Sequence, residues 1–206
     1  MKKKITLLFV LLTVALLLLA ACANVPSVND LQKINDMLKR DYSAVTVVVN
    51  TKTATADLSG TFTMTFNNGD TTIKYKFDRI NTFDVDGSGN VSDAQGDFIV
   101  HEEGEVVVRD GKVVEGDKSV DLPLDQLTIS GFSFKQAFFN NVSKKNAKFE
   151  ADVVNPQNFT GNSALECKDM HVVVIQNTSA NILTSLELTY TSKGDAAVKI
   201  NYLFTK

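Results

Sequence analysis

Asp84, Asp86, Ser88, Asn90 and Ser92 place an oxygen-bearing side chain at every second position of "DVDGSGNVS", and Gly89 stands at the sixth place. Oxygen donors at alternate places can wrap a hard cation, and a glycine there permits the sharp turn of a twelve-residue calcium loop. If this segment holds a metal, the metal is calcium, bound with weak, extracellular-type affinity. Two features oppose it. Place 12 is Gln95 instead of a bidentate glutamate, and the preceding "YKFDRINTF" reads as strand. The competing reading is a solvated turn built from ordinary turn residues. In "VHEEGE", alternation puts His101, Glu103 and Glu105 on one face, but Gly104 is expected to turn the chain there, which leaves a solvated loop.

Other reactive constellations are missing from the sequence. It has no HExxH, Walker loop, CxxC, dinucleotide fingerprint or nucleophile elbow. A hydrolase would have only His101 and His171 to build on. Cys167 precedes the apolar run "MHVVV" and reads as a half-buried small residue, since nothing near it in sequence would lower its pKa. A non-enzymatic protein is therefore expected, with no cofactor apart from the calcium just considered.

The elements that must position these residues are mostly strands. Ser27 and Asp30 have the spacing of a capping box. Leu31, Ile34, Leu38 and Tyr42 then recur at helical spacing, which predicts a helix from about Val28 to Asp41. From "SAVTVVVNT" onward the period falls to two. Phe62, Met64 and Phe66 alternate with threonines, and Ile73, Tyr75 and Phe77 alternate with Lys74, Lys76 and Asp78. Asn68-Gly69 joins these two runs as a primed hairpin turn. "EVVVRDGKVVEG" is a second hairpin, turning at Asp110-Gly111. Phe134, Ala137, Phe138 and Val142 predict a short second helix capped by Ser133. A further strand, "AKFEADVV", precedes a loop that opens at Asn155-Pro156 and lasts to about Glu166, and three strands finish the chain. The expected fold is mainly β (α+β): a large curved antiparallel sheet of nine to eleven strands, with one N-terminal amphipathic helix and one short helix.

The first residues address the compartment. Lys2, Lys3 and Lys4 precede fifteen almost wholly apolar residues, Ile5 to Leu19. A helical bilayer span needs about twenty residues, so the stretch reads as a secretory signal. Leu19-Ala20-Ala21-Cys22 resembles the lipobox of bacterial lipoproteins. That resemblance implies a diacylglycerol thioether on Cys22 and cleavage just before it. Residues 1–21 would then be the signal, 22–27 a tether and 28–206 a single domain. The expected location is the bacterial cell envelope, lipid-anchored and extracytoplasmic, with the membrane as a partner through the N-terminal lipid. Cleavage leaves 185 residues carrying 18 basic and 24 acidic side chains, a net charge near −6. Such a surface offers no footprint for nucleic acid. With Cys22 acylated only Cys167 remains, so no intrachain disulfide can form.

The layout also resembles the half-barrel of the lipoprotein carriers, the LolA family and the mycobacterial lipid-binding lipoproteins. The matching pieces are "DLQKINDMLKRDYSAVTVVV", "LSGTFTMTF" and "RDGKVV". What the resemblance implies is a sheet curled around helices that holds an apolar ligand, a lipid or acyl chain. Phe62, Phe66, Tyr75, Phe77, Phe134 and Phe138 are the candidate lining, with Phe132 and Phe139 beside them. The alternative is a surface interaction or structural lipoprotein, its aromatic residues filling an ordinary core and its edges contacting another envelope protein.

Overall fold

The computed structural model describes residues 26–206 apart from 55, 68, 86–90 and 118–121, and describes the backbone alone at 79–85, 91–100 and 125. Helix α1 (Val28–Leu38) is followed by five strands: β1 (Ala44–Lys52), β2 (Ala56–Asn67), β3 (Asp70–Val85), β4 (Val91–Arg109) and β5 (Lys112–Gly116). A short helix α2 (Leu124–Leu127) and a 3₁₀ turn (Gln136–Phe138) lead into β6 (Phe139–Lys145) and β7 (Lys148–Val153). Helix α3 (Pro156–Thr160) precedes β8 (Cys167–Asn177), β9 (Ile182–Ser192) and β10 (Ala197–Thr205). The ten strands form one open, curved antiparallel sheet in the order β5-β4-β3-β2-β1-β10-β9-β8-β7-β6. The fold class matches the expectation from sequence.

Strand alternation creates two unlike faces. In β1, Val45, Val47 and Val49 are buried on the inner face, whereas Thr46 and Val48 are only half-buried on the outer one. Burying each such valine contributes about 1.5–3 kcal/mol. The β2–β3 pairing places Phe62 opposite Tyr75 and Met64 opposite Ile73, all buried, as their alternation predicts. The Asp110-Gly111 turn also forms, joining β4 to β5. Gly104, expected to bend the chain, instead lies within β4 opposite Tyr75. It is needed for close approach: a Cβ there would sit 2.5 Å from the Tyr75 phenol oxygen.

Helix α1 lays Leu31, Ile34 and Met37 on the inner face. Its capping box is complete: the Ser27 hydroxyl accepts from the Asp30 amide at 3.2 Å, and Asp30 accepts from the Ser27 amide at 2.9 Å. The helix stops at Leu38, earlier than its periodicity predicts. Tyr42 donates its hydroxyl to the Met37 carbonyl at 2.8 Å and accepts from the Leu183 amide at 3.0 Å. The buried tyrosine thus fastens the helix end to β9.

Asp30 also binds Lys144 of β6. That contact first, then the Ser27 amide, pushes the Asp30 carboxyl down from an ordinary 3.8 to about 2. A carboxyl whose folded pKa is depressed stabilises the fold above its unfolded pKa, and the contribution disappears as pH falls through the folded value. This part of the stability is therefore complete above about pH 4 and lost toward pH 2. Lys144→Gln is expected to move the Asp30 titration back toward 3.8, read by carboxyl ¹³C NMR. An Asp30 still titrating near 2 in that variant would show that Lys144 is not the cause.

A candidate apolar groove beneath the strap

The chain between α2 and the 3₁₀ turn forms a strap, 128–135, across the inner face of the sheet. Several contacts hold it. Asn35 grips the Phe134 backbone at both ends: its amide nitrogen donates to the Phe134 carbonyl at 2.9 Å, and its amide oxygen accepts from the Phe134 amide at 2.8 Å. Just before the strap, the Gln126 carbonyl accepts from the Tyr202 hydroxyl at 2.6 Å. Gly131 meets the α3 end so closely that a Cβ would lie 2.3 Å from the Thr160 carbonyl oxygen.

The two sides of the strap differ. Toward β7, the rings of Phe134, Phe139, Phe149 and Phe159 pack with centroids 5.1–5.7 Å apart, largely edge to face. Offset and edge-to-face pairs of this kind add stability beyond area burial. A hollow of about 60 Å³ lies beside Phe132, Met170 and Tyr202, and one of about 320 Å³ opens at Asp152, Val153, Asp169 and Met170, where both carboxylates make it polar. Toward β2–β4, a groove of about 270 Å³ runs between strap and sheet. Met64, Phe66, Ile73, Val108, Leu127 and Ile129 line it. Phe66 is 44% exposed at its mouth, whereas Ile73 is 2% exposed at its floor. Another hollow of about 190 Å³ lies on the α1 side of the same strap and shares Ile129 and Ser130 with the groove. The polar side chains on the groove wall are hydroxyls (Thr71, Thr128 and Ser130). Such a wall retains a ligand by apolar burial, about 25 cal/mol per Å².

The aromatic residues singled out from sequence divide accordingly. Phe66 lines the groove. Phe62 is buried in the sheet, and Tyr75 stacks on Phe77 farther along the same wing at 5.9 Å. Burial, aided by the Asp117 and Glu102 carboxylates, lifts the Tyr75 phenol above its usual range. Phe134 belongs to the packed aromatic cluster, and Phe138 lies half-buried beneath Lys135. Met64, Ile73, Val108, Leu127 and Ile129 complete the groove, and aromatic type does not mark them. Met64 alternates with Phe62 and Phe66 and carried a usable signal, while Leu127 and Ile129 sit in a segment with no periodicity.

The two histidines occupy the outer face, each directly across from an aspartate. His101 Nδ1 is 2.5 Å from Asp78, with Glu103 3.7 Å from its other nitrogen. His171 Nδ1 is 2.8 Å from Asp152, which also accepts from Asn141 at 2.7 Å. Asn141 first, then His171, holds the Asp152 carboxyl below its usual range. Among the described residues no three histidine, cysteine or acidic side chains converge as a metal site. Of the calcium candidates, Asp86, Ser88 and Asn90 lie outside the described residues, while Asp84 and Ser92 are opposed in the β3–β4 backbone ladder. Cys22 also lies outside the described residues. Burial pushes the Cys167 thiol up, away from nucleophile chemistry. Among the described residues no helix is long and apolar enough to cross a membrane.

A larger depression, about 650 Å³, lies at the opposite ends of β1, β2, β9 and β10. Residues alternating between both faces line it, with Lys52, Asp57, Asp169 and Lys199 among them. Those four charged side chains distinguish it from the smaller groove, which has none in its lining. No protein-family model matches the chain, and no curated protein matches it in sequence.

Proposed function

We propose that this protein is a membrane-anchored lipoprotein of the bacterial cell envelope, without enzymatic activity, that holds an apolar ligand such as an acyl chain in the groove between the strap and β2–β4. The lipobox-like Leu19-Ala20-Ala21-Cys22 supports the anchor. The groove supports the binding role, and its pairing of a buried apolar floor with an exposed phenylalanine at the mouth carries the reading. Its volume of about 270 Å³ lies just below the ~300–1,000 Å³ typical of small-molecule sites. One acyl chain, not a whole lipid, is the ligand size that fits.

Ile129 faces both hollows that flank the strap. Filling that position with Ile129→Trp is expected to weaken binding of a fluorescent fatty acid at least tenfold, with the fold retained by circular dichroism. Equal affinity in the wild type and this variant would remove the groove from the account.

The second reading, an interaction lipoprotein, draws on two observations. The aromatic cluster of Phe134, Phe139, Phe149 and Phe159 is packed solid, and β5 pairs with β4 only from Val106 to Arg109. Among the described strands, nothing pairs the outer edge of β4 over 91–105. An open edge of that length can accept a partner strand. Absence of any fatty-acid binding would move the assignment to this reading.

A further inference from the structure

The acidic domain carries one concentrated basic feature. The β6–β7 turn, Lys144-Lys145-Asn146-Ala147-Lys148, has three lysines in five residues, of which Lys145 has no carboxylate partner among the described residues and Lys148 is paired with Glu150 but half-exposed. Its place in the fold is fixed by Lys144, which binds Asp30 in the first turn of α1. The turn therefore lies beside the point where residues 22–27 enter the domain. Five residue steps separate Cys22 from Ser27, a reach of at most about 18 Å. A domain of this length has a radius of gyration of about 16 Å. A tether that short holds the start of α1 within about 18 Å of the bilayer, close to the surface on the scale of the domain.

Strand register shows what shares this rim. One row of paired residues runs Lys148–Ile175–Ser185–Leu203–Thr46–Thr63 across the sheet. Beyond that row, at the same end, β2 closes with Phe66 and β4 turns into β5 at Gly111, both on the groove wall. The opposite rim holds the exposed Lys52 and the β9–β10 turn with Lys193.

We infer that the rim bearing the start of α1, the β6–β7 turn and the mouth of the groove faces the membrane, with Lys145 and Lys148 resting on anionic headgroups. This rests on lipid anchorage at Cys22. The orientation gives an acyl chain a short route between bilayer and groove, past Phe66. Juxtamembrane lysines gain from the negative surface potential, an effect that fades within a Debye length, so only the near rim benefits.

The test uses the full lipidated chain reconstituted into vesicles of phosphatidylcholine alone or with phosphatidylglycerol, reacted with an amine-acylating reagent and mapped by mass spectrometry. On the anionic vesicles Lys145 and Lys148 are expected to react about fivefold more slowly than on the zwitterionic ones, with Lys52 and Lys193 unchanged. Equal rates at both rims in vesicle-bound protein, or protection of Lys52 and Lys193 instead, would overturn the orientation and leave the anchor standing. A chain that fails to float with either vesicle would overturn the anchor itself, and this inference with it.

Discussion

Cys22→Ser is expected to abolish palmitate incorporation and release the protein from the membrane pellet on alkaline washing. Each buried methylene contributes about 0.8 kcal/mol, so two acyl chains hold firmly where one holds only reversibly. Serine offers no thiol for the thioether. The remaining apolar stretch, Ile5 to Leu19, is fifteen residues, short of the roughly twenty that a stable span requires. The effect is therefore all-or-none. Unchanged palmitate labelling together with unchanged pelleting in the serine variant would remove Cys22 as the site of the anchor.

Phe134→Ala is expected to lower the unfolding free energy by about 3–5 kcal/mol, measured by urea denaturation. Phe134 is 2% exposed and touches Phe139, Phe149 and Phe159 with its ring. Asn35 holds its backbone through both polar groups, so the neighbours cannot easily close the space that the missing ring leaves. Phe66→Ala is the control. Its side chain is largely at the groove mouth, so the expected loss is within about 0.5–1 kcal/mol. A Phe134→Ala cost no larger than that of Phe66→Ala would mean that the aromatic cluster is as loosely filled as the groove side. The division of the inner face into a packed part and a binding part would then fail.

Local features of this fold were legible in the sequence because local chemistry encodes them. The capping box needs only Ser27 and Asp30, and the β2–β3 hairpin needs only alternation around a turn. Where a distant contact decides, the reading fell short. The segment around Phe134 to Val142 has helical spacing, yet only Gln136–Phe138 coils, as a 3₁₀ turn. Phe139 is drawn into β6 by pairing with Val153 and by the aromatic cluster, so the helix cannot continue. The loop after Asn155 contains one turn of helix, with Asn155 accepting from the Asn158 amide at 3.3 Å. The β1–β10 pairing that closes the centre of the sheet joins the two ends of the domain, and no local pattern announces it.

The candidate site follows the same division. Aromatic type marked Phe66 and Phe134 alike, yet Phe66 stands exposed at the groove mouth and Phe134, in the strap, is buried. The strap is placed by Asn35 across 99 residues and by the Gly131–Gly161 approach. Neither contact has a signature in its own neighbourhood. Leu127 and Ile129 become groove wall only because those contacts hold them over Met64 and Ile73.

The most direct test of the acyl-binding groove is native mass spectrometry of the protein taken from its own membrane in mild detergent. The account predicts a population heavier than the lipidated chain by one non-covalent acyl-bearing molecule, stripped by organic solvent and reduced in Ile129→Trp. Only the bare lipidated mass, in a protein that also binds no added fatty acid, would contradict it.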